Sequence, residues 1–414
     1  MTMAKGRTLL AVGVLLVLAG AVVLGRWYEL QRSKQAAPPA AAREVALHVT
    51  NSGDRGPGTL REALFLSAGA NGPTNISIEV PSIKLETALP AMVNGKGVTL
   101  VGQASGAQID AQALGEGAVL DIAGANISIE GIQIQGCPST AILVRAVHFH
   151  LVGSVIRSCD VGVEVAENAS DTLLEHDKFS NDRIGVRFGA SRRNSVVAGN
   201  EFTDDKDAGL WAVRGSVDSG DEAIDIRDNK FTEDGAGIVA GNVPVLIERN
   251  DFVNAHEAAV HIVGAGAVVR GNHLSGGASM GIMGESARGA VIESNEIEGV
   301  TAYGVMLRGS ANVLVRANRL HNCGYGIAFV LGDPHDASTA IDNTIIEPKY
   351  NGIDVIGDSP NLRRNQVLRP HAYALHVEDF QPPNGQKAVS QPTLDGNNFG
   401  REPNQGAAVA AGSK

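Results

Sequence analysis

Short alternations of apolar and polar residues, about four or five positions long, run through this chain from Glu130 to Asn365. Gly185-Val-Arg-Phe188, Gly304-Val-Met-Leu307 and Val243-Pro-Val-Leu-Ile247 are examples, rich in Val and Ile and bounded by Gly, Asn, Asp and Ser. A period of two predicts strands, and the repeat region lacks the long runs of helix formers that helical repeats need. An Asn stands two residues before an apolar side chain at Asn200, Asn229, Asn250, Asn272, Asn295, Asn318, Asn343 and Asn365. Upstream, the same slot is read as Asp177 before Phe179, Ser154 before Ile156 and Glu130 before Ile132. The spacing is about 22 or 23 residues, stretching to about 29 between Asn200 and Asn229. A second marker, Gly-apolar-x-apolar, keeps step from Gly162 through Gly185, Gly237, Gly281, Gly304 and Gly326 to Gly352. A fixed period with two or three short strands per turn predicts a solenoid.

The expected fold is all-β, a parallel β-helix of about eleven or more coils whose neighbours pair at about 4.8 Å. The Asn column is expected to be structural, because Asn tolerates a left-handed corner and its amide can bond to the next Asn in a stack. Over residues 45 to about 399 the chain resembles the right-handed parallel β-helix proteins of the pectin-lyase-like superfamily. Before the repeats, Val45 to Thr50 reads as a strand, and Thr59-Leu-Arg-Glu62 reads as a capping box opening a short helix. That helix would offer Leu60, Ala63, Leu64 and Leu66 to the end of the core, as the amino-terminal cap of many secreted β-helix proteins does.

Residues 8–25 form a membrane-length apolar run behind Lys5 and Arg7. It reads as an uncleaved anchor, with a signal peptide cut near Ala19-Gly-Ala21 as the alternative. The expected organisation is therefore 1–26 anchor or signal peptide, 27–43 linker, 44–399 β-helix with 44–68 as N-terminal cap, and 400–414 disordered tail. The domain is expected to be monomeric. Its expected place is the periplasm, either behind an inner-membrane anchor or free as a secreted or periplasmic protein. Fifty glycines and 4% aromatic residues suit a thin core with tight corners. A net charge of −11 argues against nucleic acid as a partner. Cys137, Cys159 and Cys323 fall in one corner column. The first two lie one coil apart, so they read either as a disulfide or as a small buried residue that recurs.

Counting from each Gly-apolar segment gives an outward column: Glu164, Arg187, Trp211, Val239, His261, Met283, Met306, Ala328, Asp354 and His376. Trp, two Met and two His are unusual for a plain solvated sheet and suggest a groove that contacts an extended ligand. Tyr303, Tyr325, Tyr350 and Tyr373 gather in the same coils, where they could support the fold or lie against a carbohydrate face. Polysaccharide is the expected partner, with Tyr303, Tyr325, Tyr350, Met306, Lys349 and Asp354 as substrate-binding candidates.

Asp333-Pro334-His335-Asp336 resembles the Asp-Pro-His-Asp motif of the periplasmic alginate (mannuronan) carbon-5 epimerases. The resemblance implies His335 as catalytic base, oriented by Asp333 and Asp336. Imidazole suits removal of a proton beside a carboxylate at neutral pH, and a cation must hold that carboxylate as it becomes enediolate-like. The family's Arg after the next strand is missing from Gly352-Ile-Asp-Val-Ile-Gly357, which leaves Arg308 and Lys349 to supply the charge. The implied activity is uronate carbon-5 epimerisation or β-elimination, without a cofactor. One alternative is a non-catalytic polysaccharide-binding or assembly scaffold. Another is a copper-delivery protein using His256, His261, His273, Met280, Met283 and Met306. The acidic stretches Asp204–Asp207 and Asp218–Glu222 read as a solvated insert that lengthens one coil, with calcium binding as the alternative.

Overall fold

The computed structural model describes residues 43–103, 107–189, 194–214, 222–332, 337–381, 385, 387–400 and the backbone of 409–411. The expected anchor and most of the linker lie outside the described residues, as do Asp333, His335 and Asp336. No helix among the described residues is long and apolar enough to cross a membrane.

Three parallel sheets of 15, 13 and 13 strands wind through the chain. From Val98 to Glu378 each coil places one short strand in sheet 1, one in sheet 2 and one in sheet 3, then returns to sheet 1 one layer on. Coil to coil, the register is regular. Phe179, Phe202, Phe231 and Phe252 pair in succession on sheet 2 and stack with ring centroids 4.9, 4.6 and 4.9 Å apart. Inward Val, Ile, Leu and Phe from all three sheets merge in one core. The solenoid expectation holds.

The Asn column is structural through the stacked amide ladder expected of it, whereas the left-handed corner falls one residue earlier than expected. The residue before each Asn is left-handed, with φ of 56° at Asp228, 53° at Arg249 and 54° at Ser294. The Asn itself satisfies buried backbone. Asn250 Oδ1 accepts from the Asn229 N–H at 3.0 Å, and Asn250 Nδ2 donates to Ile226 O at 2.9 Å and to Asn272 Oδ1 at 3.0 Å. The ladder runs on to Asn397, which accepts from the Asn365 N–H. Its upstream end differs from the sequence reading. Val155 pairs with Gln133, so Ser154 stands opposite Ile132, and Glu130 belongs to sheet 1.

A second ladder, at the corner between sheets 2 and 3, was not anticipated. Asp182 Oδ1 accepts from the Cys159 N–H at 2.7 Å, Asp205 Oδ1 from Asp182 N–H and Asp234 Oδ1 from Asp205 N–H, both at 2.9 Å. The Oδ2 atoms of all three are buried without a partner. Burial raises these carboxyls from 3.8 to about 8, about 10 and about 7 at Asp182, Asp205 and Asp234. Asp205 is therefore core, and the solvated-insert reading fails there. The extra residues of the long coil fall between the strands Ala208–Val213 and Ile224–Arg227.

The glycine marker has a steric cause. A Cβ on Gly326 would stand 2.2 Å from Gly352 O in the next coil, so the backbones approach too closely for any side chain.

Helix α1 (Leu60–Ala68) buries Leu60, Ala63, Leu64 and Ser67 against the first strands of sheet 1. Leu66, expected in the core, is exposed with Phe65. Thr59 Oγ1 accepts from the Glu62 N–H, while Glu62 reaches back to the Gly58 N–H rather than to that of Thr59. Cys137 and Cys159 form a disulfide, and Cys323 is free and buried. Residues 409–411, within the stretch expected to be a tail, pair with 375–377 on sheet 3.

Candidate functional site

Sheet 3 carries the outward column in the register read from the sequence. His261 pairs with Met283, Met283 with Met306, Met306 with Ala328, Ala328 with Asp354 and Asp354 with His376. Glu164 and Arg187 begin the column with an ion pair of 2.8 Å. The face is less solvated than alternation alone implies, because Val239, Ala328 and Asp354 are buried.

Aromatic rings line the start of these strands. Tyr303 stacks on Tyr325 at 4.6 Å, and Tyr325 on Tyr350 at 4.8 Å. In strand register, the position after Tyr303 and Tyr325 falls to Asn351 and then to Tyr373. Tyr350 thus joins the stack from one residue upstream, and Asn351 is freed for a polar task. Its Nδ2 donates to Asp354 Oδ1 at 2.8 Å, and its Oδ1 accepts from the Tyr373 N–H at 3.2 Å.

Asp354 is the polar centre of this region. It is 2% exposed, although it occupies an outward position. His376 Nδ1 lies 3.1 Å from the same Oδ1 that Asn351 reaches. Burial pushes the Asp354 carboxyl above its ordinary range, opposed by Asn351 and His376. The hydroxyls of Tyr303 and Tyr325 also rise, through burial first and the charge of Asp354 second. Tyr373 contacts the His376 ring at a centroid distance of 6.0 Å. A ring stack beside a buried carboxylate and an imidazole can hold a sugar face and move a proton.

Arg308 ends the strand Tyr303–Arg308 on the same face as Met306, and Lys349 precedes the strand Ile353–Ile356. Both are exposed, and neither has a carboxylate partner among the described residues. Beside Gly332, the last described residue before the motif, opens a cavity of 570 Å³ lined by Gly357, Asp358, Ser359, Lys387, Val389 and Gln391. Lys387 pairs there with Asp379 at 2.7 Å.

Of the predicted site residues, the structure brings Tyr303, Tyr325, Tyr350, Met306 and Asp354 together on consecutive coils, with Arg308 and Lys349 at either end of the strands. Asp333, His335 and Asp336 lie outside the described residues, so their roles rest on the motif alone. Sequence reading placed His376 in the column without assigning it a role. The signal was its register opposite Asp354. Among the described residues, no group of three or more His, Cys, Asp or Glu is arranged to hold a metal ion.

Two family models match the chain, each over less than half its length. That of a right-handed β-helix region covers residues 216–367, and that of the periplasmic copper-binding protein NosD covers 100–266. No curated protein matches. Among solved structures, the A-module of the mannuronan C-5 epimerase AlgE6 of Azotobacter vinelandii aligns at 14% identity with a TM-score of 0.51. It covers 82% of this chain and 93% of that one. The catalytic unit of a GH87 α-1,3-glucanase from Streptomyces thermodiastaticus aligns at 13% identity and a TM-score of 0.52, over 90% and 71%. The tailspike of the E. coli bacteriophage HK620, in complex with a hexasaccharide, aligns at 12% and 0.56, over 85% and 78%. At such identities the likeness is one of fold. Together with the sheet topology and the β-helix match, it identifies the chain as a right-handed parallel β-helix protein.

Proposed function

We propose that sheet 3 of the C-terminal coils binds an extended polysaccharide outside the cytoplasm and acts on uronate residues by carbon-5 epimerisation or β-elimination. The observation that carries this reading is the Tyr303–Tyr325–Tyr350 stack beside buried Asp354, with Arg308 and Lys349, which have no carboxylate partner among the described residues, at the strand ends. The rings offer an apolar face to sugar, and the cations offer charge to its carboxylate. The aligned structures named for a mannuronan epimerase, a glucanase and a saccharide-bound tailspike support a polymer ligand. In this proposal His335 removes the proton, Asp333 and Asp336 orient it, and Arg308 neutralises the carboxylate.

The full-length protein, incubated with polyuronates in deuterated solvent, is expected to exchange the carbon-5 proton. It should also shift the epimer ratio or release an unsaturated product absorbing in the ultraviolet. His335→Ala should slow this by about 10²–10⁴-fold, and Arg308→Ala should weaken both binding and turnover. If wild type and His335→Ala bind polymer equally and neither exchanges, the protein is a binding scaffold.

One observation favours a copper-handling alternative. His261, Met283 and Met306 occupy one column on successive coils, and His261 Nε2 has no hydrogen-bond partner among the described residues, with Glu285 Oε2 3.7 Å away. Thioether and imidazole suit Cu(I), and the NosD match reaches His261. Stoichiometric Cu(I) binding lost in Met283→Leu and Met306→Leu would favour it over the polysaccharide reading.

A further inference from the structure

Epimerisation needs two proton-transfer groups, one for each face of the sugar carbon. We propose that His376, oriented by Asp354, is the second of them, an assignment that rests on the uronate reading above. Adjacent strands hold the two residues opposite one another on sheet 3. Asp354 Oδ1 lies 3.1 Å from His376 Nδ1 and 2.8 Å from the Asn351 amide that fixes it. A carboxylate accepting from Nδ1–H leaves Nε2 as the working nitrogen. Nε2 has Glu378 Oε2 at 4.0 Å, beyond hydrogen-bond reach, and the His376 side chain is 25% exposed. The ring is thus held at Nδ1 and partly exposed, with no hydrogen bond to Nε2 among the described residues.

The position of Asp354 needs a cause. An outward strand residue is ordinarily solvated, and a buried carboxylate costs several kcal/mol unless it is paired. Asn351 and His376 are the groups that meet it. The tyrosines are weaker candidates for the same role. Burial and Asp354 drive the Tyr303 and Tyr325 hydroxyls further from the range where they exchange protons at neutral pH. An imidazolium beside a carboxylate gives up its proton far more readily.

The step balances without a redox partner. The first base takes the carbon-5 hydrogen as a proton, and the C–H electron pair moves towards the carboxylate, forming an enediolate. His376 imidazolium then gives its Nε2 proton to carbon-5 from the opposite face. The enediolate pair forms the new C–H bond, and the ring returns to neutral imidazole. The reverse reaction uses His376 as base, and solvent resets both groups.

This symmetry supplies the test. Full-length protein is incubated with mannuronan and, separately, with guluronan in deuterated solvent, and carbon-5 exchange and configuration are read by NMR. Wild type should exchange and invert both polymers. In His376→Gln, one polymer should keep its exchange with retained configuration and the other should lose it, while inversion falls by about 10²–10⁴-fold in both directions. Asp354→Asn, which keeps the shape of the side chain, should lower inversion as well and alter its pH profile. Circular dichroism melts of both variants monitor the fold. Inversion at the wild-type rate in His376→Gln, or loss of exchange from both polymers, overturns the assignment. A wild-type protein that neither exchanges nor cleaves either polymer refutes the uronate reading itself, and this assignment with it, whereas cleavage to an unsaturated product without exchange overturns this assignment alone.

Discussion

Replacing Asp182 by Asn removes a titrating group from a corner ladder while keeping its acceptor. Oδ1 can still receive the Cys159 N–H, now at 2.7 Å, and the amide adds a donor where Oδ2 has no partner. The neighbouring column shows that such a corner takes an amide. Asn200 Nδ2 donates to Leu174 O and to Asn229 Oδ1, each at 3.0 Å. Burial raises the Asp182 carboxyl from 3.8 to about 8. Because the folded value is the higher one, the folded protein holds this proton more tightly than the unfolded chain. The stabilisation is complete below about pH 4 and is lost as pH rises through about 8. At about 1.36 kcal/mol per unit the full span sets a ceiling of about 6 kcal/mol, of which about 4 kcal/mol has gone by neutral pH.

Water entry and a small corner shift reduce that ceiling. The stability of Asp182→Asn relative to wild type should therefore rise by about 2–4 kcal/mol between about pH 5 and pH 9. Asp205 and Asp234 titrate in both proteins, so most of their effect cancels in the difference. Urea unfolding followed by far-ultraviolet circular dichroism measures it at each pH. Parallel pH dependences for the two proteins would refute the argument and mean that the ladder carboxyls are ionised or hydrated in the folded state.

Phe231→Ala should cost about 3–5 kcal/mol by urea unfolding, since the ring is buried between Phe202 and Phe252, whereas Met306→Ala on the half-buried outer face should cost under about 1 kcal/mol. Alkaline phosphatase fused after residue 43 should be active in a bacterial host and lose activity when residues 8–25 are deleted. An active cytoplasmic reporter at the same junction would reverse the topology.

The solenoid was legible because its two markers answer to backbone constraints that recur in every coil. Gly326 has no room for a Cβ, and Asn250 satisfies N–H and C=O groups that no apolar residue could. The aspartate ladder was hidden for the opposite reason. Asp205 lies between Asp204 and Lys206, in a stretch that looks like a polar loop, and Asp in such a stretch is ordinarily solvated. Nothing local distinguishes a carboxyl that folds inward onto the next backbone N–H. Asp354 was selected for its register, but its burial was not readable. Alternation reports which face a residue occupies, and it is silent on what neighbouring coils lay over that face.

Charge placement separates the sheet 3 face from the other sheets. Elsewhere a positive side chain commonly meets a carboxylate one coil away: Arg249 with Asp228, Arg270 with Glu248, Arg316 with Glu293, Arg364 with Asp342 and Arg369 with Glu347. Stacking one column on itself would otherwise bring like charges within about 5 Å, so alternating the sign relieves repulsion. On sheet 3 the arginine pairing of Glu164 and Arg187 is not repeated at Arg308 and Lys349, which have no carboxylate partner among the described residues although Glu285 stands in register opposite Arg308. An exposed pair contributes only about 0–1 kcal/mol, so leaving these cations unpaired costs the free protein little. A chain of net charge −11 repels a polyanion at long range, and salt screens that repulsion beyond about 8–10 Å. Inside that distance the local charges decide. Two open cations beside a ring stack are what a uronate polymer would need to settle on this face.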